Sequence, residues 1–595
     1  MMSTTIPSRL FERAKKTPQD AAYYEKVAGQ WKMFTWATYA DQVKDCGRAL
    51  MALGFSPGQT ACILGNNCPQ WVLFDVATMA VGGAPAGIYV TSSPSEVAYI
   101  LKHSECPIAL VEDFGQLNKV LEHWESLPAL KHVVLMPKAP KHTDERVLSW
   151  DEFIGHAAGV GESLFFARVS DLKPTELATL IYTSGTTGPP KGVMLTHENL
   201  AFTADIAGQI TGASSGDSEL SYLPLSHIAE QNLTIHVPIT QGYTVYFAES
   251  LEKVRENISE VRPTVMFGVP RIWEKMYAGV KTKLAGATGV KAALAQWAMN
   301  VGRNVHRYLN ESKPLPLALQ IQYKLADRLI YSKVKAAMGL DRCTLAVSGA
   351  APISQEIIEF FAGLDIVIRE IYGQSEDTGP TTFNFPGRTR FGSVGVPVPG
   401  VDVHIADDGE ILVRGKNVFA GYYKDPEATA ETLHDGWLHS GDLGRFDEQG
   451  FLYITGRKKD IIITAGGKNI APKNIEAALK NHPLIGEAVV IGDRRPFLSA
   501  LISLDPELSL RFAADHGVDP STLATASALL AELNNWVEQV NKEFARVEWV
   551  RKFHVVSRPF STETGELTPS LKVKRSVVNS KYAKEIDQMY HGEGQ

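Results

Sequence analysis

The chain has few cysteines for its length. Five occur in 595 residues (Cys46, Cys62, Cys68, Cys106 and Cys343), with no C-x-x-C pair and no His/Cys cluster at zinc spacing. They read as isolated thiols in a reducing compartment rather than as a disulfide framework or a zinc site. Long apolar runs are also missing: none approaches the roughly 20 residues of a membrane span. Met1 to Lys16 has no apolar stretch ahead of its charges, so no secretory signal is expected. There is no excess of positive charge. The formal net charge of −7 removes any global attraction to nucleic acid. No internal repeat and no low-complexity tract is present. Together these absences predict a cytoplasmic chain without a nucleic-acid partner, with contact at a membrane surface left as an alternative.

What is present is an ordinary globular composition, 44% hydrophobic and 21% charged. At roughly 100–200 residues per domain the length predicts a large unit built of sublobes plus a smaller one. Thr60–Leu64, Ile108–Val111 and Lys131–Met136 read as buried strands. Trp71–Val81 and Pro94–His103 have helical spacing. Strand–helix alternation of this kind argues for an α/β fold with largely parallel sheets. From Trp273 to Met338 the texture is rich in Ala, Leu and Lys, with Trp297/Val301 and Ile321/Leu325 one helical turn apart and Pro314 and Pro316 breaking it into two parts. It reads first as packed core helices; walling an acyl pocket or touching a membrane is the alternative. Gly392–Tyr453 reads as a small β-rich sublobe. The charged segment Gly456–Asp460 reads as a connector to a final domain with strands Ala488–Gly492 and Leu498–Leu504 and a helix from about Ala526 to Ala545.

One loop carries chemistry on its face. Tyr182–Gly192 (YTSGTTGPPKG) follows an apolar stretch and holds Thr183, Ser184, Gly185, Thr186, Thr187, Gly188 and Lys191. Glycine lets backbone N–H groups approach an oxyanion, hydroxyls add donors, and lysine offsets charge, so the segment reads as a phosphate grip. It is not a Walker loop. Five residues on from Gly185 stands Pro190, and Gly192 follows Lys191 where Ser or Thr is required.

This segment resembles the phosphate loop of the adenylate-forming superfamily, which contains acyl-CoA synthetases, peptide-synthetase adenylation domains and beetle luciferases. Further matching segments follow in the family's order, from about residue 30 to about 575. The resemblance implies that His227, in Ser221–His227 (SYLPLSH), borders the acyl-carboxylate pocket. It implies that Gly349, Ala350 and Ala351 lie along the adenine, where small residues let a flat base approach. In Ile371–Glu376 (IYGQSE) it implies that Tyr372 stacks on adenine, that Gly373, Gln374 and Ser375 line the nucleotide, and that Glu376 holds Mg²⁺ together with Thr183. Ser375 stands where many members have Thr. Asp442 and Arg457 are implied to bind ribose. Lys459 is implied to be the pivot between two domain orientations. Gly466, Gly467 and Lys468 are implied to line the pantetheine tunnel in the second orientation, and Lys572 to be catalytic in the first, with Lys191, His227 and Glu376.

The implied architecture is a large N-terminal domain of residues 1–456, a hinge at 457–460 and a small mobile α+β domain at 461–595. The implied activity is two-step: a carboxylic acid attacks ATP to give an acyl-adenylate and pyrophosphate, then the acyl group passes to the thiol of coenzyme A. Val269–Lys275, the helical stretch after it and Ile462–Ile470 resemble long-chain and bubblegum-type fatty acyl-CoA synthetases most, which points to a fatty acid. Some long-chain relatives carry a gating tryptophan shortly after the histidine motif; Glu230, Gln231 and Asn232 stand there instead. The alternatives are a fatty acyl-AMP ligase that loads a carrier protein and a non-catalytic nucleotide- or lipid-binding regulator. The oligomeric state is not legible; a dimer is one option.

Overall fold

The buried strand Thr60–Leu64 lies near the middle of an eight-stranded sheet. The computed structural model describes residues 5–137, 139–183 and 188–591. In order across the sheet the strands are Gly421–Tyr422, Lys191–Thr196, Leu177–Thr183, Ala84–Ile88, Thr60–Leu64, Ile108–Val111, His132–Leu135 and Val147–Ser149. Pairing is parallel from Leu177–Thr183 outward to Val147–Ser149, and antiparallel where Lys191–Thr196 and Gly421–Tyr422 join the other edge. The α/β class read from strand–helix alternation therefore holds, as does the reason for it. Strands covered by helices on both faces read as unbroken apolar runs. Helices Pro69–Ala80 and Pro94–Ser104 are two of those covers, each with a proline in its first turn.

A mixed sheet holds Val265–Gly268, Leu345–Ser348, Ile368–Tyr372, Thr382–Phe383 and Val396–Pro397. Another joins Ser218–Ser221, Thr244–Phe247, Ala21–Val27 and Gln30–Thr35. The β-rich texture after Gly392 becomes an antiparallel sheet of Val401–Ile405, Glu410–Gly415, Trp437–Phe446 and Leu433–His434, with Leu452–Arg457 paired to Trp437–Phe446. One apolar core runs from Ile6 to Leu452; a second, from Ile462 to Val555, packs Ile485–Ile491, Leu498–Leu504 and Val550–Val555 against helix Ser527–Asn541. The C-terminal helices Arg575–Lys581 and Ala583–Tyr590 cover the opposite face of that small sheet through Val578, Ile586 and Met589.

The helical stretch departs from its reading in two ways. It is cut not only at the prolines but also at Gly286–Gly289, giving Pro270–Ala285, Val290–Leu309 and Leu317–Ala326, the last continued by a π-helical turn, Asp327–Tyr331, and Ser332–Met338. The Ile321/Leu325 pair, read as core, is exposed, whereas Val301 is buried.

Candidate functional site

The stem of the phosphate loop is a hairpin. Tyr182 pairs with Gly192 and Thr183 with Lys191 in antiparallel register. Ser184, Gly185, Thr186 and Thr187 lie outside the described residues. Thr183, Gly188, Pro189, Pro190 and Lys191 line a cleft of about 3340 Å³. Gly192 fits because Tyr182 and Tyr423 flank it; a Cβ there would stand 3.3 Å from either side chain. The Lys191 Nζ lies 3.7 Å from Asp425 Oδ2 and 4.9 Å over the Tyr422 ring. The Tyr422 hydroxyl in turn donates to Glu376 Oε1 at 2.9 Å. A cation, a ring and a carboxylate thus stand in line, and one edge strand, Gly421–Tyr422, brings them together.

Glu376 is aimed by a rigid turn. Gly373 admits no side chain, since a Cβ would stand 1.4 Å from the Gly379 carbonyl oxygen. Asp377, fully buried, accepts from the Gln374 N–H at 2.6 Å and from the Thr381 hydroxyl at 2.5 Å. Burial pushes its carboxyl up to about 8, so at neutral pH it is largely protonated and adds little charge beside Glu376. Buried Ser375 opens the one-turn helix Ser375–Asp377 that carries Glu376 to the cleft.

Asp442 is the meeting point of three strands. Its Oδ2 accepts from the Tyr372 hydroxyl at 3.0 Å and from Gln374 Nε2 at 2.7 Å; Gln374 Nε2 also reaches the Ser440 carbonyl at 2.9 Å. Arg457 is its cross-strand partner, with Nε 3.4 Å from Oδ1. Tyr372, Ala350 and Ala351 border the same cleft. Gly349 does not. It packs beneath, where a Cβ would lie 2.6 Å from Ile371 Cγ2. Ala350 sits in the left-handed region at φ +67°, a strained position for a residue with a Cβ.

His227 caps the short helix Ile228–Gln231, its Nδ1 accepting the Ala229 N–H at 3.2 Å. Burial, helped by the Lys572 charge, lowers its pKa to about 4, so the ring is neutral at neutral pH. The loop that presents it is held by two residues that sequence reasoning did not assign to the site. Glu230 Oε1 accepts from Asn67 Nδ2 (3.1 Å), the Ser221 hydroxyl (2.8 Å), the Thr234 hydroxyl (3.0 Å) and the Tyr222 N–H (3.1 Å). Asn67 also donates to the Leu223 carbonyl at 2.7 Å and accepts from the Leu225 N–H at 3.2 Å. Nothing local marks Asn67, because its partners lie far along the chain. Glu230 was visible only as a departure from the relatives' tryptophan.

Lys572 arrives from the other core. Thr568–Lys572 is the tip of a tight turn, closed by the Leu567/Val573 bridge, by the Thr568 N–H to the Lys572 carbonyl at 2.7 Å and by the Lys572 N–H to the Thr568 hydroxyl at 3.0 Å. Three contacts seat this side of the small domain on the large one: the Thr91 hydroxyl to the Pro569 carbonyl at 2.7 Å, Lys574 to Glu96 at 3.8 Å, and Arg271 to Asp505 at 2.5 Å. Lys572 is open to the cleft's solvent but walled by protein. Burial, with the charges of Arg457 and Lys473, draws its pKa down from the usual lysine value against the opposing pull of Asp442 and Glu376. Gly466, Gly467 and Lys468 are not brought to this cleft. They form an exposed turn, Gly467 at φ +73°, closed by the Thr464 N–H to the Lys468 carbonyl at 3.0 Å. Lys459 is exposed in the one-turn helix Lys458–Asp460, whose ends are tied by Lys458 to Asp408 (2.6 Å) and Glu410 (3.0 Å) and by Asp460 to Lys473 (3.4 Å).

Lys191, Arg457 and Lys572 all line this cleft with Glu376 and Asp442, beside the strained Ala350 turn, an arrangement able to take a nucleotide and a second anion. Residues 10–423 match the family described as AMP-binding enzyme, and residues 459–594 match the AMP-binding enzyme C-terminal domain. The chain belongs to the AMP-binding enzyme family. It is 37% identical to the long-chain-fatty-acid–CoA ligase ACSBG2 of Xenopus laevis, over 99% of this chain and 84% of that one. It is also 37% identical to the long-chain-fatty-acid–CoA ligase FadD15 of Mycobacterium tuberculosis, over 99% and 97%. Among solved structures, the anthranilate CoA ligase AuaEII bound to anthranoyl-AMP shares the fold at a TM-score of 0.73 and 20% identity, covering 98% of each chain. The A-PCP didomain of a carboxylic acid reductase from Segniliparus rugosus, bound to AMP, does so at 0.74 and 20%, covering 99% of this chain and 82% of that one.

Proposed function

We propose that the chain is an ATP-dependent fatty acid–CoA ligase that adenylates a long-chain fatty acid, releases pyrophosphate, and then transfers the acyl group to coenzyme A with release of AMP. The observation that carries the reading is the seating of Lys572, from the small domain, in a cleft with Glu376, Asp442, Arg457 and His227. The relatives' names supply the substrate class, at 35–37% identity over nearly the whole chain.

The acid's carboxylate attacks the α-phosphorus of ATP in line, and pyrophosphate departs. Such chemistry is driven mostly by positioning and charge neutralisation. Lys572 bridges the carboxylate and α-phosphate oxygens as charge builds there. Lys191 and the hydroxyls of its loop hold the leaving pyrophosphate. Asp442 takes the ribose hydroxyls with Arg457 beside it, and Tyr372, Ala350 and Ala351 flank the adenine. His227, neutral, borders the carboxylate without adding charge. Mg²⁺ fits this site: Glu376 keeps one oxygen free of its bond with Tyr422, and Mg²⁺ is usually held by one or two carboxylates with substrate phosphates and water. Held by Glu376 and Thr183, which line the same cleft, it would neutralise phosphate charge. Residues 461–595 then turn about Lys459, withdrawing Lys572 and bringing Gly466, Gly467 and Lys468 to the cleft for thiol attack. The reading places the protein in the cytoplasm.

The test is pyrophosphate release across acids of increasing chain length, with coenzyme A or a carrier protein as acceptor. Release that rises with chain length, and thioester only with coenzyme A, is expected; no release with any acid defeats the proposal.

A further inference from the structure

The helical insertion between Val265–Gly268 and Leu345–Ser348 has an apolar face left to solvent. Helix Leu317–Ala326 turns Leu319, Tyr323 and Ala326 towards Trp297, Ala298, Val301 and Val305 of helix Val290–Leu309. That inner face accounts for the helix's place in the fold. Helical spacing puts Leu317, Ile321 and Leu325 on a second stripe, and they are 73%, 62% and 48% exposed. Of the fourteen exposed large hydrophobic side chains among the described residues, five lie between Val290 and Leu325. Three of the five, Leu317, Ile321 and Leu325, share one face of one helix and so form a stripe rather than scatter.

The surroundings are basic. Residues 270–338 hold twelve Lys and Arg against three Asp and Glu, an excess of nine positive charges in a chain whose net charge is −7. The rest of the surface is therefore more acidic than the whole. Lys324 lies beside the stripe, Arg328 follows in the next turn, and both are exposed, as is Lys333. Lys313 pairs with Glu311 and Lys335 with Asp365, but Lys324, Arg328 and Lys333 make no ion pair among the described residues.

We propose that this face docks on an anionic phospholipid bilayer. An apolar stripe at headgroup depth flanked by cations is the design of an interfacial helix, and each basic side chain near an anionic leaflet strengthens adsorption on the order of fivefold. The charge asymmetry selects the orientation, because the acidic remainder is repelled. The insertion that carries the stripe begins at Pro270, Arg271 and Glu274, which line the cleft. The docking itself does not rest on the fatty acid reading.

The test is flotation of the full-length protein with vesicles of phosphatidylcholine alone, or of equal parts phosphatidylcholine and phosphatidylglycerol. Binding to the mixed vesicles, weakened by salt, is expected. Lys324→Glu with Arg328→Glu changes only exposed side chains and should lower it by about tenfold or more. Leu317→Ser, Ile321→Ser and Leu325→Ser together should lower it as far, with unchanged melting and unchanged pyrophosphate release from a soluble acid. Equal binding to both vesicles by the wild type, or retention of binding in the charge-swapped variant, overturns the proposal. So does a serine variant that binds vesicles normally but elutes as a smaller oligomer, which would make the stripe a contact between copies of this chain.

Discussion

Lys572 and Gly466 sit on tight turns of the same small domain, and both were named from sequence as working residues. One is seated in the cleft and the other faces solvent. The Lys572 turn is tied to the large domain by Thr91, and Lys574 and Asp505 add ion pairs with Glu96 and Arg271. Among the described residues, the Gly466 turn is closed on itself and on its neighbour Arg495, through bonds from Thr464 and Ala465. The difference is one of docking rather than of turn chemistry. In the proposed cycle, the orientation with Lys572 in the cleft would serve the first half-reaction.

The largest expected effect separates the two turns outright. Lys572→Ala should lower formation of acyl-adenylate from acid and ATP by about 10²–10³-fold, the usual loss when one charge-stabilising group is removed from a reacting centre. Thioester formation from a supplied acyl-adenylate should stay near the wild-type rate. Both are read by quenched-flow assay of each half-reaction, and equal losses in the two halves would dissolve the comparison.

Gly466→Leu should do the reverse. Here a Cβ at Gly466 meets only the Thr464 hydroxyl, at 3.9 Å, so this orientation accommodates a side chain and adenylation should be unchanged. In the other orientation a thiol arm must pass the turn, and misplacing it by about an ångström should slow thioester formation by about ten- to a hundredfold. The readout is thioester yield from supplied acyl-adenylate; loss of pyrophosphate release instead would remove Gly466 from the tunnel.

Much of this was legible in the sequence, and the illegible part has a pattern. Thr60–Leu64 and Leu498–Leu504 were read to the residue because buried strands are short apolar runs with sharp ends. The resemblance named Glu376 and Asp442, and the structure lines one cleft with both, together with Thr183, Gly188 and Lys191 of the loop. The roles of Asn67, Thr91 and Glu96 were not legible, since each acts on a partner more than a hundred residues away; Glu96 is marked locally only as the capping-box partner of Ser93. Gly349 was placed on the cleft for being small, but its smallness serves packing on Ile371. Ile321 and Leu325 were misread because helical spacing shows that a face is apolar and not whether anything covers it. Which of the two turns is docked is a choice between two states of one sequence, and motifs name the parts of both.

The smallest expected effect is a pH limb that only the docked turn should show. Lys572 must carry its proton to bridge anionic oxygens. Burial, Arg457 and Lys473 lower its pKa, while Asp442 and Glu376 hold it up; neutral His227 contributes no charge. The sign follows: the protonated fraction is complete at low pH and is lost as pH rises, beginning below the ordinary lysine value of about 10.4. Adenylation should therefore fall severalfold on the alkaline side, while thioester formation from supplied acyl-adenylate shows no such limb. Bound ATP adds negative charge and moves the limb upward, so the profile of kcat/KM, which reports the free enzyme, should fall at lower pH than that of kcat. Lys572→Arg keeps the charge at any pH in the range and should flatten the limb, at a cost in rate because a planar guanidinium does not replace a point charge. An alkaline limb that survives in Lys572→Arg would belong to another group, and the contrast between the docked and the free turn would then rest on geometry alone.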